Sequence, residues 1–128
     1  MLKPALAIPL ALSAALLAGC NSSVRPPGDA GVCYHVVQGK EGKIRFNELV
    51  RNMPNLENCA ARLEGLRLKF LGLGGNREQL VGAYQANFLF LDRTGVSSAT
   101  TLTGARYTAL VRTGDGRLAI PGAMPAAR

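Results

Sequence analysis

The sequence has few of the side chains from which most catalytic sites are built. Among 128 residues there is one histidine, His35, and there are only 8 acidic residues. A general base needs a reactive partner within hydrogen-bonding distance. The candidate nucleophiles Ser97 and Ser98 belong to a polar segment that is typical of a sheet edge or a loop. With no HExxH motif, no GxSxG motif and no recognisable carboxylate pair, the prediction is a protein that is not an enzyme and holds no metal or other cofactor.

A nucleotide-binding loop is also missing. The glycine-rich segment GLGGNR, residues 72–77, has the wrong spacing for a phosphate-binding loop and lacks its Lys-Ser/Thr ending. Glycine at this point is typical of a helix end followed by a turn. We therefore predict that a helix ends at Gly72.

Long apolar segments are scarce, and the longest one is at the amino terminus. Residues 5–17 are apolar except for Ser13, and Lys3 precedes them with one positive charge. This run is too short to cross a bilayer as an ordinary helix, and Pro9 argues against a buried core helix. Its length, together with the small residues that follow, is typical of a signal peptide.

The four residues Leu17-Ala18-Gly19-Cys20 resemble the lipobox of bacterial lipoproteins. The resemblance implies that a signal peptide, residues 1–19, is removed and that Cys20 carries a diacylglyceryl group on sulfur and an acyl chain such as palmitate on nitrogen. Two or more chains make membrane attachment effectively permanent. Asn21 differs from the aspartate that marks retention in the inner membrane, so the periplasmic leaflet of the outer membrane is the favoured location.

Export determines how the two remaining cysteines are interpreted. Cys33 and Cys59 form an even pair in an oxidising compartment, which predicts a disulfide, with two buried free thiols as the alternative. Loss of Lys3 leaves 14 of the 15 basic side chains against 8 acidic ones, about +6. This charge favours an anionic component or a protein of the envelope as the partner, besides the membrane itself through the lipid, and no nucleic acid.

The mature chain is predicted to be an α+β domain, residues 32–122, between a flexible linker, residues 20–31, and a tail, residues 123–128. The element order is β-β-α-β-β-β, with one amphipathic helix packed on an antiparallel sheet and linked to it by the disulfide. Asn55 is the expected helix cap. Residues 48–53 fit either a strand with a bulge or a helical turn.

The later strands carry the remaining predictions. The segment GAYQANFLFLDR is predicted to be one strand with Tyr84, Ala86, Phe88 and Phe90 on a common face. A hairpin with a two-residue Asp115-Gly116 loop follows, and it places Tyr107, Ala109 and Val111 on an apolar face.

Three arginines of this hairpin, Arg106, Arg112 and Arg117, are expected on its opposite face. Guanidinium groups bind phosphates or carboxylates through paired hydrogen bonds, so these arginines are the candidate partner-binding residues. A solvated outer sheet face is the alternative.

The sequence thus favours a lipid-anchored binding or envelope-assembly module. The second hypothesis is an inhibitor of an envelope-attacking hydrolase, either a protease or a lysozyme. An inhibitor of this kind needs a protruding loop, and residues 92–103 are the only candidate. The positive charge of the domain argues against a basic lysozyme as its target.

Overall fold

The computed structural model describes residues 24–75 and 79–122. In chain order the elements are β1 (Cys33–Gln38), a 3₁₀ turn (Lys40–Gly42), β2 (Ile44–Val50), α1 (Leu56–Gly72), β3 (Leu80–Tyr84), β4 (Asn87–Asp92), β5 (Gly95–Ala99), β6 (Tyr107–Arg112) and β7 (Leu118–Ala119). The predicted signal peptide, residues 1–19, the lipidation site Cys20 and the tail, residues 123–128, lie outside the described residues.

All seven described strands form one antiparallel sheet in the order β2-β1-β3-β4-β5-β6-β7, and α1 packs on one face. The predicted α+β class, with one helix on an antiparallel sheet, is confirmed. The strands after α1 number five, two more than predicted. Within the described ranges, α1 is the one α-helix, and it is not long and apolar enough to span a membrane.

The single strand predicted around Tyr84 is in fact a hairpin. Gln85 and Ala86, with φ angles of 44° and 68°, turn the chain between β3 and β4. Such a left-handed pair suits tight hairpins but usually needs Gly or Asn, so the sequence carries no turn signal here. The Ala86 N–H donates to the Pro27 carbonyl at 3.0 Å, which helps to hold the turn.

This turn separates side chains that were predicted to share one face. Tyr84 belongs to the core on the helix side of the sheet, whereas Phe88 and Phe90 belong to the cluster on the opposite side. The prediction of a common face was therefore wrong, because the two-residue turn changes the phase of the alternation.

The helix forms where the sequence predicts it. Asn55 Oδ1 accepts the Asn58 N–H at 2.9 Å, and α1 ends at Gly72. Of the two structures that residues 48–53 could fit, a strand with a bulge or a helical turn, the chain forms the strand with a bulge. Tyr34 pairs with Glu48 while Cys33 pairs with Val50, so Leu49 is the extra residue of β2.

The disulfide joins β1 to α1. Cys33 and Cys59 are both fully buried, and their Cα atoms lie 5.4 Å apart. Close contact between helix and sheet nearby depends on Gly82, because a Cβ atom there would lie 2.3 Å from Leu63 Cδ1. The predicted disulfide is therefore present, with the helix packed directly against β3.

The sheet is apolar on its second face as well. Phe46 stacks on Phe88, with ring centroids 5.9 Å apart, and Leu102 from the loop after β5 packs against the same cluster. The segment before β1, predicted to be a linker, contacts the domain at several points. Asp29 accepts a hydrogen bond from the Tyr34 hydroxyl at 2.7 Å, an interaction that raises the pKa of Tyr34.

The register of the last hairpin differs from the prediction by one residue. Val111 pairs with Ala119, and Arg112 pairs with Leu118, so the connection is longer than the expected Asp-Gly loop. A second irregularity between β5 and β6 places Leu110 in the core, 2% exposed, and leaves Tyr107 69% exposed. The predicted apolar face was wrong because a shift of one residue exchanges the two faces of a strand.

Candidate functional site

A cleft opens where β1 and β3 separate. The two strands pair from Cys33–Tyr84 to His35–Gly82 and no further, although β1 continues to Gln38 and β3 begins at Leu80. The cavity at this point has a volume of about 280 Å³. Its lining comes from β1, α1, β3, β4 and the loop after β5, so only the tertiary fold assembles it.

The walls of the cleft are mainly apolar. Phe70 of α1 lines one side, Phe90 of β4 lines another, and Leu102 comes from the loop after β5. Phe90 is almost completely buried, whereas Phe70 remains 39% exposed. The volume lies just below the usual range of about 300–1,000 Å³ for ligand pockets, so a small ligand suits the cleft best.

Arg106 brings a positive charge to the cleft. Its guanidinium carbon lies 3.6 Å from the centre of the Phe90 ring, a cation–π arrangement that orients the planar group. Within the described part of the chain, no carboxylate forms a salt bridge with Arg106, and no lining residue is acidic. The chemistry of the cleft therefore favours an anion over a cation.

Arg67 also lines the cleft, but unlike Arg106 it belongs to an ion-pair network within the described residues. Its side chain is 8% exposed, and Nε donates to Glu64 Oε1 at 2.6 Å. Glu64 also forms an ion pair with Arg112. Burial opposes ionisation of Glu64, but the hydrogen bonds from Arg112 and Arg67 outweigh it and lower the pKa of that carboxyl.

His35 lines the cleft beside Phe70, with ring centroids 5.8 Å apart. Ser97 and Ser98 lie on β5, three strands away from β1 in the sheet. At the usual spacing between neighbouring strands, that separation is about 14 Å. The fold therefore does not bring His35 together with these hydroxyl groups.

The three candidate arginines do not form one surface. Arg106 lies over Phe90 at the cleft, and Arg112 lies on the helix side of the sheet against Glu64. The Arg117 side chain is 85% exposed and lies 3.4 Å from a carboxylate oxygen of Asp115. The expected common face was wrong because Ala109 is an extra residue where β6 pairs with β5, so the alternation of side chains changes phase between Arg106 and Arg112.

Half of the segment predicted as a protruding loop, residues 92–103, is in strands. Asp92 accepts the Thr94 N–H at 2.8 Å in a tight turn, and β5 then pairs with β4 and β6. The irregular loop begins only after Ala99, and its Leu102 packs against the sheet. The loop that an inhibitor would need is therefore shorter than predicted.

Sequence reasoning missed most of the residues that build the cleft. One signal was present: Arg67 follows Leu63 by four residues on the buried stripe of α1, an unusual place for a charged side chain. Phe70 lines the cleft instead of filling the core. Arg106 was predicted as a partner-binding residue, although on a different surface, whereas Leu102 carried no local signal.

Over residues 24–75 and 79–122, no group of three His, Cys, Asp or Glu side chains is placed to hold a metal ion. Comparison of the chain with protein-family models, with curated proteins and with solved structures finds no match.

Proposed function

We propose that this chain is a lipid-anchored, non-enzymatic binding module on the periplasmic side of the cell envelope, held to the outer membrane, and that the cleft between β1 and β3 is its binding site. Two observations support the location. The lipobox-like sequence ends at Cys20, and the other two cysteines form the Cys33–Cys59 disulfide, a bond typical of oxidising compartments.

The observation that carries the binding role is the composition of the cleft. Apolar walls surround a cavity of about 280 Å³, and Arg106 faces it without a carboxylate partner among the described residues. Pockets with apolar walls and a few placed polar groups are the usual form of small-ligand sites. His35, the one histidine, lies against Phe70 and far from the serines of β5.

The attachment point relative to the cleft supports the same proposal. Pro27 contacts the β3–β4 turn through its carbonyl, and it follows Cys20 by seven residues, a span of at most about 25 Å. The cleft lies toward the other end of β1, where residues 35–38 line it about 7–17 Å along the strand from Cys33. An anchored domain would thus stay near the bilayer while its cleft remains accessible from the periplasm.

Metabolic labelling tests the anchor. Cells that express the full chain are grown with labelled palmitate and fractionated, with Cys20→Ser as the comparison. We expect label and membrane attachment for the original chain and loss of both for Cys20→Ser. An unlabelled, soluble and uncleaved original chain would refute the anchoring.

Photo-cross-linking in intact cells tests the binding role of the cleft. A photoreactive residue replaces Leu102 at the cleft or, as the control, exposed Arg117. We expect an adduct, identified by mass spectrometry, at position 102 and not at position 117. Identical products at the two positions, or no product at position 102, would contradict the proposal.

A further inference from the structure

We propose that the ligand of the cleft is a single acyl chain of medium length that ends in a carboxylate, with the chain between Phe70 and Phe90 and the carboxylate on Arg106. This inference rests on the proposed function, because it requires the cleft to be a binding site. It adds the chemical class of the ligand.

The size of the cleft limits the ligand. The cavity of about 280 Å³ is small for a ligand pocket, which favours a single chain of medium length, such as an eight-carbon carboxylate. A phospholipid with two long chains would not fit inside.

The walls match a hydrocarbon chain. Phe70 and Phe90 line the cleft from the helix and from the sheet, and Leu102 adds an aliphatic contact from the loop. Leu80, which is 5% exposed, and Val37 complete the apolar lining from the two separating strands. These walls exclude water from a bound chain, which is the main source of affinity for such a ligand.

Arg106 determines which head group the cleft favours. With its face on the Phe90 ring, the guanidinium is held in one plane, and a carboxylate binds a guanidinium through two parallel N–H donors. No described lining residue is acidic, so nothing in the described lining would offset the attraction for an anion or hold a cation. A neutral or cationic molecule of the same length lacks this contact.

An extended peptide is the main rival occupant, because separated strands offer backbone hydrogen bonds to a strand added between them. The cleft favours the acyl chain because its walls come from the helix, β4 and a loop as well as from β1 and β3, which makes a pocket rather than an open sheet edge.

Competition against a photoreactive octanoate analogue tests the ligand class. The mature acylated protein is placed in phospholipid nanodiscs, empty nanodiscs serve as the blank, and labelled peptides are mapped by mass spectrometry. We expect labelling at cleft residues and competition by octanoate at concentrations at least about tenfold below those of octylammonium or 1-octanol, because only octanoate brings a negative charge and two acceptor oxygens to Arg106.

Variants make the test specific. Arg106→Ala should weaken octanoate competition at least about tenfold, while Arg117→Ala, which removes the same charge outside the cleft, should leave it unchanged. Arg106→Lys should weaken octanoate competition by an intermediate amount, since lysine keeps the charge without the planar fork of donors. Val37→Phe should reduce labelling by filling the cleft.

Three results would overturn the proposal: equal competition by octylammonium, unchanged competition in Arg106→Ala, or stronger competition by a short peptide that ends in leucine. Failure of the ligand class is distinguishable from failure of the binding role. An adduct at position 102 in cells without octanoate labelling would reject the acyl carboxylate alone, whereas the absence of both would reject the cleft as a binding site.

Discussion

Arg112 of β6 forms an ion pair with Glu64 of α1 across the interface between helix and sheet. The same guanidinium donates to the carbonyl of Asp92 at 2.5 Å and to that of Gly116 at 3.2 Å. Glu64 in turn accepts a hydrogen bond from Arg67 at 2.6 Å. One arginine thus connects the helix to the β4–β5 turn and to the last hairpin.

We predict that Glu64→Ala destabilises the protein by about 3 kcal/mol, because it leaves Arg67 and Arg112 together without their shared carboxylate. Urea unfolding of the purified protein measures the change in the free energy of unfolding. Glu48→Ala is the matched control, since Glu48 pairs with Arg51 on the exposed surface. Glu48→Ala should lower the free energy of unfolding much less. Equal losses for the two variants would show that the buried network stabilises the protein no more than the exposed pair does.

Stability should also depend on pH through Glu64. The pKa of this carboxyl lies below its ordinary value of 4.5, so its contribution is complete above that pH and is lost as the pH falls through the lowered value. Unfolding free energies measured at steps from neutral pH to about pH 3 should decline more steeply for the original protein than for Glu64→Gln. Parallel curves would mean that Glu64 has the same pKa folded and unfolded.

The Cys33–Cys59 disulfide should make a large contribution to stability. For a sequence separation of 26 residues, the chain-entropy model gives about 3.5 kcal/mol. The double variant Cys33→Ala/Cys59→Ala should lose roughly that amount in urea unfolding and should be insensitive to reductant. If the original protein unfolds at the same urea concentration with and without reductant, the prediction fails.

Gly82 should be intolerant of any side chain. An added Cβ would lie 2.3 Å from Leu63 Cδ1 and 2.9 Å from the Tyr34 carbonyl oxygen, so Gly82→Ala should cost about 2 kcal/mol through forced repacking. Gly114→Ala is the control, because a Cβ there would meet nothing within 4 Å beyond its own chain neighbours. Thermal unfolding of both variants measures the difference in stability. A Gly82→Ala protein as stable as the control would contradict the packing described.

The sequence alone was sufficient for features that depend on neighbouring residues. The capping of α1 by Asn55 and the helix end at Gly72 follow from side chains that act within one turn of their own backbone. The pairing of Cys33 with Cys59 was predicted because these are the two cysteines outside the lipobox-like sequence. The α+β class followed from two changes of periodicity, from strands to a helix and back to strands.

The tertiary structure alone decided which face each later strand presents and where the cleft lies. Gln85 and Ala86 form a turn without the usual residues, and the carbonyl of Pro27, far away in the chain, holds Ala86 in place. A bulge at Ala109, where β6 pairs with β5, sends Arg112 to the helix while Arg106 lies over Phe90. Because side chains alternate with a period of two, such long-range choices change every contact that follows.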